Sequence, residues 1–310
     1  MNAVALAGGV GGAKLAHGLA QVLAPEQLTL VVNTGDDFEH LGLHISPDLD
    51  TVMYTLAGLA NPETGWGVAG ETWNFLDALG RLGGATWFRL GDRDLATHVE
   101  RSHRLWAGEA LTDVTAALCA ALGVEHRVLP MTDDVVQTVV DTDEGEMDFQ
   151  TYFVYRRCEP RVRGFRFAGL EAATPTEHVL SALGAADLIV FCPSNPFVSL
   201  DPILSLPGVR AAVQRKGAVA VSPIVGGQAL KGPAAKMLAE LGREVTAASV
   251  AAHYAGLLRG FVLDVVDSEL KPGIESESVR VLVTDTVMHT HADRARLARA
   301  VLDFAATLQV

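Results

Sequence analysis

The stretch AVALAGGVGGAKLAHGLAQVL, residues 3–23, followed by LTLVV at 28–32, constrains the fold more than any other part of the chain. A five-residue apolar run, a glycine-dense turn, an apolar helix to about Leu23 and a second apolar run make a βαβ unit. Parallel neighbours need a crossover of this length between them, so the chain begins a parallel sheet. The same texture returns at DLIVFC (187–192) and AVAVS (218–222), wholly apolar runs of the kind that form central strands covered on both faces. Each runs into a proline-containing loop, PSNP or PIVGG, and then into helical sequence. Strands are expected again at Phe261–Val266 and Val279–Thr284, and a closing helix from about Asp293 to Leu308.

Two excursions interrupt this rhythm. After a polar stretch from Asn33 to about Asp50, helical patterns run over Thr51–Leu59, Glu71–Leu82, Asp92–Leu105 and Leu111–Leu122. From about residue 126 to 170 the texture becomes β-rich, with RVLPM, VVQTVVD, FQTYFVY and VRGFRF separated by turn residues. The expected fold is therefore a single α/β domain over residues 1–310, a doubly wound, mostly parallel Rossmann-like sheet with a helical excursion and a β-rich insertion.

Composition limits the partners. The chain carries a net charge of −13 with no run of lysine or arginine, which argues against nucleic acid, where clustered cations must release counterions. No stretch of about 18 apolar residues is uninterrupted, so no membrane span is expected. Cys119, Cys158 and Cys192 are far apart and fit neither a metal finger nor a disulfide framework, as in a reducing compartment. With no basic leader before the first strand, a cytoplasmic protein is expected.

The glycine turn matches neither familiar phosphate cradle. Spaced as a P-loop from Gly8, it puts Ala13, Lys14 and Leu15 where Gly, Lys and a magnesium-binding hydroxyl belong. Read as a dinucleotide fingerprint from Gly9 and Gly11, it puts Lys14 on the third glycine. Amides of Gly8, Gly9, Gly11 and Gly12 at a helix N-terminus nevertheless suit an anion, with Lys14 adding charge. A tight turn without a ligand is the alternative. The next loop, NTGDDFEHLGLHISPDLDT, gathers Asp36, Asp37, Asp48 and Asp50 beyond the carboxyl end of a strand, where open α/β sheets place ligands. Any one of them can serve as a helix N-cap. Four together suit a hard divalent cation, the usual partner of diphosphate chemistry.

Further along, LGDRDLATHVERSHRLW (90–106) puts Arg93 and Thr97 four apart on one helix face, with His98 beside them, and adds Arg101, His103 and Arg104. They suit a phosphate, or make a solvated surface. Ser194 and Asn195 in PSNP, and Ser222, Ile224 and Gly226 in SPIVGG, end two buried strands at the same sheet edge; an asparagine amide there suits a base edge such as guanine. His289, His291 and Asp293 look like metal ligands, but His291 and Asp293 fit the start of the last helix better.

GGVGGAKL, NTGDD, SPDLDT, GDRDLATH, LPMTDD, FQTYFV with RCEP, PSNP, and VSPIVGG with GPAAKM run in order over residues 4 to about 237. This ordered set resembles the 2-phospho-L-lactate transferase family of coenzyme F-420 biosynthesis. The resemblance implies transfer of a phospho-acid group from a GDP-activated donor to the ribityl hydroxyl of the deazaflavin Fo, with GMP leaving. The acid is lactate in archaeal members and phosphoenolpyruvate-derived in actinobacterial ones, and the alanine-rich, arginine-over-lysine composition inclines towards the latter. The family is magnesium-dependent and homodimeric.

Carried onto this chain, Asp48 and Asp50 would hold Mg²⁺ and orient or deprotonate the Fo hydroxyl, with Thr97 beside the reacting groups. Gly8 to Gly12, Lys14, Asp36, Asp37, Arg93 and His98 would bind the phosphate-bearing substrate. Ser194, Asn195 and the Ser222–Gly227 loop would face guanosine, and Trp66 or Trp73 would stack on Fo. Two other readings compete: a non-catalytic nucleotide-sugar-binding regulator of a sister family, and an NAD-dependent oxidoreductase. The first expects glycines and serines after the double aspartate, where this chain has Phe38-Glu39-His40. The second is weakened by the broken fingerprint.

Overall fold

In a computed structural model, in which residues 1–308 are described, seven parallel strands form one sheet with helices on both faces. The strands are β1 (Ala3–Ala7), β2 (Leu28–Val32), β5 (Arg127–Pro130), β9 (Leu188–Phe191), β10 (Ala218–Val221), β13 (Leu258–Leu263) and β14 (Arg280–Val283), in the order β14-β13-β10-β9-β1-β2-β5. Small antiparallel pairs sit at the rim: β3 (Phe38–His40) with β4 (Leu43–Ile45), and β11 (Ile224–Val225) with β12 (Gln228–Ala229). A separate three-stranded antiparallel sheet is made by β6 (Gln137–Thr142), β7 (Gly145–Asp148) and β8 (Val162–Ala168).

Strand order reverses at β1. The chain leaves β1 towards β2 on one side, and β9 returns on the other. One face of the sheet is covered around Leu15, Leu19, Leu49, Val52 and, from the C-terminal helix, Leu297; the opposite face is covered around Val179, Ile203, Val209 and Met237, from the helices on either side of β9. The loops after β1 and β9 therefore part at the carboxyl edge and leave a crevice, the usual ligand position in such sheets. Among the described residues no helix is long and apolar enough to cross a membrane.

Helix α1 (Gly9–Ala20) follows β1 directly. Leu15 and Leu19, one turn apart, are fully buried against the sheet, each contributing about 1.5–3 kcal/mol. Its glycines permit close approach. A Cβ on Gly11 would lie 2.3 Å from the carbonyl oxygen of Pro193, in the loop after β9. Gly11→Ala is therefore expected to lower unfolding free energy by about 1–3 kcal/mol in urea titrations, since backbone must move to admit the methyl. Unchanged stability would show that the two loops are not locked together.

Several boundaries differ from expectation. Helix α2 spans Pro47–Leu56, so SPDLDT is its first turn and not its approach; proline at the first helical position presets the backbone. Helix α3 (Asn74–Arg81) begins three residues late and buries no residue, whereas α4 (Asp92–Trp106) and α5 (Leu111–Ala121) lie close to the expected spans. RVLP belongs to the edge of the central sheet and not to the insertion. The TYFVY segment is a single wide helical turn, Thr151–Tyr155. Asp148 starts it by accepting bonds from the Thr151 amide (2.8 Å) and hydroxyl (2.6 Å). At the C-terminal helix, His291–Thr307, Thr290 and Asp293 form a reciprocal cap, so the His289–Asp293 cluster is a helix start. The three cysteines are free, Cys119 and Cys192 buried and Cys158 half-buried.

Candidate active site

A cavity of about 600 Å³ opens where the loops after β1 and β9 part. Gly8, Gly9, Gly11 and Lys14 line one side, Asp36, Asp48, Asp50 and His98 another, and Ser194, Asn195 and Ser222 a third. These expected positions are brought together from five segments of the chain.

Asp48 sits at the centre of this arrangement. Its Oδ1 accepts from the Gly9 amide at 2.7 Å, and its Oδ2 accepts from the side-chain amide of Asn33 at 2.9 Å. Asn33 is itself fixed, donating to the Val198 carbonyl and accepting from the Gly35 amide. The Gly8 amide donates to the Ser194 hydroxyl at 3.1 Å. The first two amides of the glycine turn are thus taken by the protein, one of them by a carboxylate where an external anion was expected. The turn is a bracket that holds Asp48 at the sheet edge.

The acids press on one another. Burial, then the charges of Asp48 and Asp37, push Asp36 well above the usual carboxylate range, and its Oδ1 is buried without a partner. Burial pushes Asp48 up to about 6, against the pull of its bonds from Asn33 and Gly9. Asp37 lies off the cavity, where its Oδ2 accepts from Ser46 Oγ (2.7 Å) and lies 3.1 Å from His44 Nε2. The native protein holds the Asp48 proton more tightly than the unfolded chain, so its contribution to stability falls as pH rises from about 4 to about 6. Metal-free Asp48→Asn should therefore gain stability relative to the parent between pH 4.5 and 7.5, by up to about 3 kcal/mol in urea titrations. A pH-independent difference between the two would overturn this assignment.

Asp50 faces different company. Arg101, completely buried, donates from Nη1 to Asp50 Oδ2 at 3.1 Å and from Nη2 to Oδ1. His98 Nδ1 lies 3.6 Å from Asp50, and its Nε2 lies 3.3 Å from Asp94 Oδ1, which also accepts from the Tyr54 hydroxyl at 2.8 Å. Burial pushes Asp94 up, but His98 and Tyr54 together hold it below the usual carboxylate range. Asp50, Asp94 and His98 bring donor atoms within 4.8 Å, but the guanidinium already supplies the positive charge there. The two aspartates of SPDLDT thus have separate surroundings, Asp48 against the Gly9 amide and Asn33, Asp50 against Arg101 and His98.

Helix α4 explains which neighbours were misplaced. Asp94, His98 and Arg101 repeat at four and three residues and point inward. Arg93 is exposed and donates to the Ala69 carbonyl at 3.2 Å; half-buried Thr97 reaches the Tyr54 hydroxyl from outside the cavity. Neither lines the cavity with His98.

Other expected contacts are spent locally. Asn195 lines the cavity and also caps the following turn, its Oδ1 accepting from the Phe197 amide at 3.0 Å and its Nδ2 donating to Met237 Sδ at 3.2 Å. The Ser222 hydroxyl donates to the Ile224 carbonyl at 2.8 Å. Ile224 is in the core, the Gly226 amide donates to Asp267 at 3.0 Å, and Gly12 packs under Ser194, so these three lie off the cavity. Trp66 lines the cavity and is 44% exposed; Trp73 does not, lying beneath the Arg89 guanidinium at 4.1 Å. Sequence reasoning missed Asp94, the pairing of Arg101 with Asp50, and an aromatic wall of Phe149 and Phe153, stacked at 5.4 Å.

An open parallel sheet with an acid-lined crevice at its switch point defines an α/β protein of ligand-binding type. Solved structures show the same fold: a UPF0052-family protein from Bacillus halodurans superposes with a TM-score of 0.61 at 15% identity, covering 97% of this chain and 98% of that one. The family model described as 2-phospho-L-lactate transferase CofD matches residues 3–299. A phosphoenolpyruvate transferase from Streptomyces griseus is 45% identical over 98% of both chains. A 2-phospho-L-lactate transferase from Methanothermobacter thermautotrophicus is 40% identical over 96% of both. The chain belongs to the 2-phospho-L-lactate transferase family.

Proposed function

We propose that the protein transfers an enolpyruvyl-phosphate group from a GDP-activated donor to the terminal ribityl hydroxyl of the deazaflavin Fo. The hydroxyl oxygen bonds to the phosphorus that carries the acid, the bond from that phosphorus to the bridging oxygen breaks, and GMP leaves with that oxygen. The observation that carries this reading is the buried pair Asp36 and Asp48 beside the glycine bracket, facing a wall of aromatic rings. Five relatives named phosphoenolpyruvate transferase are 42–45% identical and three named 2-phospho-L-lactate transferase 38–40%, which favours the enolpyruvyl donor over the lactyl one.

Asp36 and Asp48 fit a hard divalent cation such as Mg²⁺, because an oxygen of Asp36 is buried and unpartnered and both carboxyls hold protons above their usual range. When bound, the ion neutralises the acids and the diphosphate charge. Asp50, held by Arg101, accepts the hydrogen bond of the attacking hydroxyl and takes its proton as the new phosphorus–oxygen bond forms. Lys14 faces the phosphates. The tricyclic ring lies against Trp66 and the Phe149–Phe153 stack. The enzyme works as a cytoplasmic homodimer.

Incubating the protein with Fo, Mg²⁺ and each of the two donors, with mass analysis of the product, tests this reading. The enolpyruvyl adduct is expected to dominate, and no adduct with either donor would sink the proposal. Trp66→Ala should raise KM for Fo about tenfold with kcat nearly unchanged, because stacking binds ground and transition states alike. A kcat loss without a KM change would place Trp66 elsewhere.

A further inference from the structure

Helix α1 and the C-terminal helix meet so closely that a Cβ on Gly18 would lie 2.2 Å from the Arg294 carbonyl oxygen. Lys14 and His17 share one face of α1, and His291 and Arg294 share one face of the other helix, each pair three residues apart. The rings of His17 and His291 lie 4.8 Å apart. Arg294 Nε is buried with no hydrogen-bond partner, and among the described residues no carboxylate pairs with any of the four groups. Asp293, the nearest acid in sequence, is committed to its helix cap, accepting from the Thr290 amide and hydroxyl, each at 2.8 Å. Burial, then the charges of Arg294 and Lys231, hold Lys14 below its ordinary range. Burial, then Arg294 and His291, hold His17 down to about 4.

In a chain of net charge −13, Lys14 and Arg294 are half-buried beside two imidazoles with no acid among them, so the two cations repel each other and no ion pair offsets the cost. We propose that Lys14, His17, His291 and Arg294 form a binding site for a phosphate-bearing anion at the rim of the cavity. Lys14 and Met288 line the cavity, and the Lys14 ammonium donates to the Met288 carbonyl at 2.9 Å, so the site is continuous with it. An anion here takes the unpartnered Arg294 guanidinium edge and restores a proton to His17. The chemistry fits a phosphate of a nucleotide reaching out of the cavity or a free inorganic diphosphate. Only the nucleotide source rests on the proposed function.

Histidine resonances of the full-length protein, labelled on its imidazoles, are followed by NMR through pH titrations with and without inorganic pyrophosphate, and separately GDP. The His17 pKa is expected to rise by at least about one unit in saturating ligand, a tenfold gain in proton affinity. Arg294→Gln is expected to weaken binding of that ligand about tenfold, with partial recovery in Arg294→Lys. A shift with pyrophosphate assigns a free-diphosphate site, and a shift with GDP alone assigns the nucleotide. An unmoved His17 with both ligands, or affinities within twofold in folded Arg294→Gln, overturns the site. The readout does not depend on group transfer, so it fails or succeeds independently of the transferase reading.

Discussion

Arg101→Met is expected to lower the unfolding free energy by about 3–5 kcal/mol, read from urea titrations at neutral pH. Arg101 is fully buried and grips both oxygens of Asp50, so it ties α4 to the first turn of α2. Methionine fills much of the volume but leaves a buried carboxylate with no counter-charge. That uncompensated charge, more than the lost attraction, sets the size of the effect. The double variant Asp50→Asn with Arg101→Met should therefore recover a large part of the loss, because it removes the charge as well as its partner. A single-variant loss below about 1 kcal/mol, or a double variant as unstable as the sum of its parts, would show that the pair is not the device that holds the two helices.

The α/β sheet was legible because β1, β9 and β10 are wholly apolar and β1 runs straight into a helix of matching period. DLIVFC and AVAVS needed no long-range information to be placed. The cavity was partly legible for the same reason: loops at one sheet edge converge whatever their detailed conformation, which brought Gly8, Asp48 and Ser194 together as expected. Partnership was not legible. Sequence gives the spacing of Asp48 and Asp50 but not that one meets the Gly9 amide and the other a guanidinium 51 residues away. Arg93 and Thr97 were read as one face with His98; the stripe of Asp94, His98 and Arg101, equally visible in the spacing, was the one that turned inward. FQTYFVY shows the other limit. Its β-branched and aromatic residues favour a strand, yet the Asp148 cap and the burial of Phe149 and Tyr152, three apart, select a helical turn.

Asp48→Asn is expected to lower turnover at least about a thousandfold, some 4 kcal/mol of transition-state stabilisation, while leaving the protein folded at pH 7.5. Asparagine keeps one oxygen for the Gly9 amide but turns an amino group towards Asn33, losing one charge-assisted bond worth about 1.5–3 kcal/mol. Relief of a buried charge whose proton affinity is already raised works the other way by a similar amount. The ligand-free variant should thus stay within about 2 kcal/mol of its parent, so a large activity loss cannot be charged to unfolding. Divalent-cation affinity, followed by calorimetry with Mg²⁺ alone, should fall in parallel with turnover, because Asp36 would be left as the only carboxyl of the pair. Retained cation affinity with lost turnover would move Asp48 from holding the ion to orienting the substrate. Turnover within tenfold of the parent would remove it from the reaction, and the glycine bracket that holds it would be a structural clasp alone.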